Sequence, residues 1–215
     1  MKIVLSRAQV IIHILCPLPL FVILVNGFTD SLSANPIQDI TIRTGLTALD
    51  LLLLSLCCTP INKIFGLKFP LKIRRALGLY TFFYAFIHLF IFTVLDYGLQ
   101  FDLIIPRLFQ QPFIFSGLIG FILLIPLAIT SITSLRIRLG KTWKTIQRFV
   151  YFIIGFVLIH FFLAIKGEKT LPFLYLLLYA ILIALRLPIF IRRNSQISYL
   201  LKIDDYLTSD IVRIG

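Results

Sequence analysis

The sequence predicts an all-α fold: a polytopic membrane protein built as a six-helix bundle, with both termini in the cytosol. Three observations predict it. Of the 215 residues, 59% are hydrophobic and mean hydropathy is +0.99, whereas soluble domains stay near half apolar and a chain of this size has too little interior to hide the excess. Six apolar stretches approach the roughly 20 residues that cross a bilayer. The basic residues fall between those stretches on alternate sides, so the net charge of +12 reads as membrane topology and not as a nucleic-acid surface.

The first stretch, 8–28, follows "MKIVLSR" and has the outline of a secretory leader. No small-residue cleavage site follows its apolar run, so it reads as an uncleaved first span. The second, 44–61, is the weakest because it carries Asp50. An ionised carboxylate at mid-bilayer costs about 2.5–3.5 kcal/mol. Asp50 is expected about two turns in from the outer face, partly hydrated or protonated, and no role follows for it. The remaining spans are 77–95, 112–132, 149–166 and 171–190. Gly and Pro inside them are tolerable because neighbouring helices satisfy the freed backbone groups. Cys16, Cys57 and Cys58 lie in apolar stretches without metal spacing and read as small hydrophobes in helix packing. The first domain therefore spans 1–193, and 194–215 is a cytosolic C-terminal tail. In that tail Ile197, Leu200, Leu201, Leu207 and Ile211 roughly share one helical face, which either lies on the lipid surface or frays.

Orientation follows from Lys and Arg. Lys2 and Arg7, the clusters 63–75 and 136–148, and the basic residues from Arg186 onward share one side. Only Arg43, Arg107, Lys166 and Lys169 lie on the other, four of 21. The positive-inside rule makes the rich side cytosolic.

All three histidines fall within spans. His88 lies 11 residues after Leu77 and His160 lies 11 after Phe149. At 1.5 Å per residue both sit roughly 16 Å from the cytosolic edge, level with each other and near the middle of a hydrocarbon layer about 30 Å thick. Two neutral imidazoles facing each other across a bundle can hold one haem iron from both faces, an arrangement that suits electron transfer. Gly78, Thr81, Ala85 and His88 form a stripe along the third span. Its small residues either let a flat porphyrin lie close or serve ordinary helix packing. His13 lies near the cytosolic surface, where a histidine needs no function.

There is no GxGxxG, P-loop or HExxH. The spans and their loops leave no room for a dinucleotide-binding domain, so an electron donor and a final catalyst are expected to be separate molecules.

Four stretches together carry a resemblance: "NPIQDITIRTGLTALDLLLLSLCCTPI" (35–61), "RRALGLYTFFYAFIHL" (74–89), "QPFIFSGLIGFILLIPLAITS" (111–131) and "RLGKTWKTIQRFVYFIIGFVLIHFFLAIK" (138–166). In this order and spacing they resemble the MsrQ (YedZ) family, haem-binding membrane subunits of the bacterial methionine sulfoxide reductase system within the ferric-reductase-like transmembrane superfamily. The likeness runs from about residue 8 to 187. It implies a b-type haem held by His88 and His160, with FMN also associated at an unknown position. It implies electrons drawn from the quinone pool or a cytosolic flavin reductase, and a periplasmic molybdopterin-containing methionine sulfoxide reductase as acceptor. The lesion that such a system repairs is reversible and needs only reducing power. The implied location is the bacterial inner (cytoplasmic) membrane, in contact with lipid. One departure matters. The family pattern "W..LH..VY" reads "WKTIQRFVY" here, with Gln147 in place of a histidine. Gln is not a usual haem ligand, so this departure favours one haem over two; His13, near the same cytosolic edge, matches a first-span family histidine and is by resemblance a further haem or cofactor contact. The basic stretches 63–75 and 136–148 can attract a flavin phosphate or acidic lipid, or they serve topology alone. Two rivals stand beside this reading: a stand-alone ferric or quinone reductase of the same superfamily, and a haem-free transporter or scaffold whose histidines only pack.

Overall fold

Proline and cap chemistry set the helix boundaries in the computed structural model, which describes residues 6–186. Helix α1, Arg7–Leu15, starts where the Gln9 side chain accepts the Ser6 backbone N–H at 2.9 Å, half of a capping box. Helix α2 is Leu18–Phe28. Helix α3, Pro36–Phe65, has Asn35 accepting from the Gln38 N–H, Pro36 at its first position and Asp39 in its first turn. It stops at Gly66, whose φ of 69° only a glycine adopts freely. Helix α4, Phe69–Phe90, continues through a π-helical turn, Ile91–Asp96. There follow α5 (Phe101–Gln110), α6 (Pro112–Ile129), α7 (Thr133–Leu139), α8 (Lys141–Gln147), α9 (Val150–Ala164) and α10 (Thr170–Ala184). No strand occurs among the described residues.

Among the described residues, five helical stretches are long and apolar enough to cross a membrane: Arg7–Phe28, Pro36–Phe65, Phe69–Asp96, Pro112–Ile129 and Lys141–Ala164. The chain divides into two compact units, Met1–Tyr175 and Leu176–Gly215. In the first, α3 packs along α4 and α6 along α9, while α4 also meets α1 and α6. Leu49, Leu56, Tyr84, Ile153 and Ile154 are fully buried, and Cys16 and Cys58 join Ala48, Leu51, Leu77 and Tyr84 in one cluster. Phe21, Phe28, Phe86, Phe152 and Ile159 point outward. So much exposed apolar surface would drive aggregation in water, and lipid is its natural surrounding. In the second unit the described residues, 176–186, are the last part of α10 and the turn after it.

The helices depart from the sequence reading in three places. The first span is not one helix: it breaks at Cys16–Pro17, because Pro17 and Pro19 remove backbone donors. The buried Tyr84 hydroxyl fills the gap, donating to the Cys16 carbonyl (2.7 Å) and accepting from the Leu20 N–H (3.1 Å). Helices α3 and α4 start eight residues earlier than expected, since hydropathy marks the lipid-buried part of a helix and not its ends. The basic residues of 72–75 therefore sit on α4 and not in a loop. Helix α5 was not expected: it is short, carries Pro106 within it, and exposes Phe101, Leu103, Ile105 and Phe109. The apolar helix Thr170–Ala184 has 15 described residues, where the other five stretches have 18 or more. The end of the expected span 171–190 and the tail 194–215 lie outside the described residues.

Candidate haem site

Helices α4 and α9 bring His88 and His160 together. Their ring centroids are 5.9 Å apart with planes at 88°. Each ring is pinned by its Nδ1 to a backbone carbonyl on the helix packed beside it. His88 Nδ1 bonds Thr41 O at 2.9 Å, and His160 Nδ1 bonds Phe113 O at 2.6 Å. A carbonyl only accepts, so both Nδ1 atoms carry the proton. Nε2 of each neutral ring then keeps a lone pair for a metal.

Two glycines make these approaches feasible. A Cβ on Gly45 would stand 3.0 Å from His88 Nδ1 and Cε1. One on Gly117 would stand 2.6 Å from His160 Nδ1 and 2.9 Å from Cε1, closer than carbon and nitrogen tolerate. Two imidazoles on opposite faces of one iron have centroids about 6 Å apart, from about 2 Å per metal–nitrogen bond plus the ring radius. The observed separation, the tautomers and the absence of side chains at 45 and 117 fit a bis-histidine haem.

The pair is level, as its spacing in sequence implies, but it is not halfway along the spans. Thr41 and Phe113 lie in the opening turns of α3 and α6, and His88 and His160 in the closing turns of α4 and α9. The small-residue stripe on α4 splits. Thr81 is buried and Ala85 packs against the core cluster, whereas a side chain at Gly78 would meet nothing. The glycine that matters to His88 stands on α3.

The other candidates lie apart from this pair. His13 is exposed, and its Nδ1 meets the Tyr80 hydroxyl at 3.1 Å with ring centroids 5.7 Å apart. Gln147 Nε2 donates to the Leu127 carbonyl and Thr130 Oγ1, both at 3.1 Å, so it ties the end of α8 to α6. Asp50 sits mid-way along α3 and accepts from the Tyr175 hydroxyl at 2.5 Å. A polar partner inside the span offsets part of the cost of placing a carboxylate there. Sequence reading missed Thr41, Gly45, Phe113 and Gly117. The recoverable signal was the pairing of "TGL" at 44–46 with "SGL" at 116–118, each the same distance before a histidine.

Residues 44–166 match the ferric reductase like transmembrane component family. The chain is 38% identical over 149 residues to the protein-methionine-sulfoxide reductase heme-binding subunit MsrQ of Brucella anthropi, covering 69% of this chain and 67% of that one. It is 38% identical over 161 residues to the MsrQ subunit of Brucella ovis, covering 75% and 73%. No solved structure matches it. Sequence likeness over most of both chains, on a helical frame that pairs two histidines, places this chain in the MsrQ family of ferric-reductase-like transmembrane proteins.

Proposed function

We propose that the chain is a membrane electron-transfer subunit serving a methionine sulfoxide reductase, with His88 and His160 as the axial ligands of one b-type haem. The observation that carries this reading is the facing pair of imidazoles, each with Nδ1 committed to a carbonyl. A bound haem supplies one-electron carriage. The chain's own part is to present two Nε2 lone pairs, fix their tautomers, and surround them with apolar helix faces that exclude water. The relatives' name, heme-binding subunits of protein-methionine-sulfoxide reductase, supports the same role.

The charge distribution orients the chain with the basic stretches 63–75 and 136–148, and both termini, in the cytosol of a bacterium with the chain in its inner membrane. In that orientation α10 completes a sixth span and the histidine pair lies toward the periplasm, near a molybdopterin partner that accepts the electrons. Reducing power then enters from quinol in the lipid or a flavin reductase at the basic face, where an FMN phosphate also finds its complement.

The test is haem per polypeptide in the purified chain, with reduced-minus-oxidised spectra. One haem and a reducible low-spin spectrum are expected. A colourless preparation of inserted, intact protein from haem-replete cells overturns the reading. Gln147→Ala is expected to leave haem stoichiometry unchanged, because its side chain is occupied with α6. The change removes two hydrogen bonds, each of about 0.5–1.5 kcal/mol. Loss of haem in that variant, measured by Soret absorbance per polypeptide, would return position 147 to the site.

A further inference from the structure

The two imidazoles are held by one device built twice. From Thr41 to His88 and from Phe113 to His160 the separation is 47 residues. In both copies a hydroxyl residue follows the accepting carbonyl by three positions and a glycine follows it by four: Thr44–Gly45 and Ser116–Gly117. In a helix each Cβ tilts toward the N-terminus, so a side chain covers the turn before its own Cα. The residue four positions on therefore shields the carbonyl, and a glycine there uncovers it for a ring from the next helix. The hydroxyl one place earlier donates to that same oxygen. Thr44 Oγ1 reaches Thr41 O at 3.0 Å, and Ser116 Oγ reaches Phe113 O at 3.0 Å. Imidazole and hydroxyl thus compete for a carbonyl that also serves the helix ladder.

We propose that Thr44–Gly45 and Ser116–Gly117 are positioning residues that set how strongly His88 and His160 donate to a bound iron, with the His160 copy the tighter. This rests on the haem reading above. An Nδ1–H held by a carbonyl makes Nε2 a stronger donor. A stronger donor favours the ferric state and lowers the reduction potential, since outer hydrogen bonds are one of the protein's levers on a haem. Glycine admits the ring to the carbonyl, and the hydroxyl weakens the bond by sharing the acceptor. The copies are unequal. The His160 bond is 2.6 Å against 2.9 Å, the space at Gly117 is smaller than at Gly45, and Thr44 divides its hydroxyl with the Ile40 carbonyl at 2.7 Å.

The signs of the effects separate positioning from plain helix packing. In the purified haem-loaded chain, without any partner, Ser116→Ala is expected to retain haem and lower the potential, because His160 gains sole side-chain use of the carbonyl. Gly45→Ala is expected to retain haem and raise the potential, because the ring backs away from Thr41. Gly117→Ala is expected to lose most of its haem, at least several-fold, with a raised potential in what remains. Spectroelectrochemical titration and low-spin electron paramagnetic resonance read these changes. Should Gly117→Ala fail to insert, the opposite signs of Ser116→Ala and Gly45→Ala carry the test. Shifts of one sign in both, or no shift in either, overturn the proposal. A red wild type with indifferent serine and glycine variants sinks the positioning role alone, whereas a colourless wild type sinks the haem reading beneath it.

Discussion

His160→Ala and His88→Ala are each expected to leave the purified chain without haem. In the proposed site each imidazole supplies one of the two bonds to the iron, and no neighbouring side chain is placed to replace it. Gly45 and Gly117, which stand against the rings, have no side chain to substitute as ligand, and Phe113, whose ring centroid lies 6.0 Å from that of His160, has no donor atom in its side chain. Loss of a hydrogen-bond partner behind a metal ligand already costs 10–100-fold in affinity, so loss of the ligand itself is expected to cost more. Soret absorbance per polypeptide, on protein shown to be inserted and helical, measures this. A normal haem content in either variant removes that residue from the site.

Tyr84→Ala is expected to be the most damaging substitution away from the rings. Tyr84 is 0% exposed, and its hydroxyl bridges Cys16 and Leu20 across the proline break in the first span. Removing a large buried aromatic costs about 3–5 kcal/mol. Tyr84→Phe keeps the ring but leaves a carbonyl and an N–H without partners in an apolar setting, for about 1–2 kcal/mol on the scale of interhelical bonds in membranes. Tyr84 stands one turn before His88 on α4, so loosening α1 also loosens the wall beside the candidate site. Thermal unfolding in detergent should place Phe between wild type and Ala. A Phe variant as stable as wild type would mean that the hydroxyl bridge contributes nothing.

The histidine pair was legible in the sequence because depth along a helix is simple arithmetic. Two residues at equal distance into two spans of the same direction are expected at one level, and the two rings do come together, 5.9 Å apart. The start of α4 was not legible: the reading set it at Leu77, while α4 begins at Phe69, since a helix runs on past the hydrocarbon and its polar first turns look like loop. The break at Cys16 had a visible cause in Pro17, yet the tyrosine that repairs it lies 68 residues away from Cys16. Gln147 was legible as a departure from a histidine pattern, but its two bonds to α6 were not.

Apolar run length and the placement of Lys and Arg made this chain a helical membrane protein before any contact was known. Those properties are summed along the chain, and lipid reads them segment by segment. Which carbonyl each imidazole reaches, and why glycines stand opposite it, depends on how α3 lies against α4 and α6 against α9. Such pairings join residues 47 apart through side-chain shape and fractions of an ångström. Local periodicity carries no record of them.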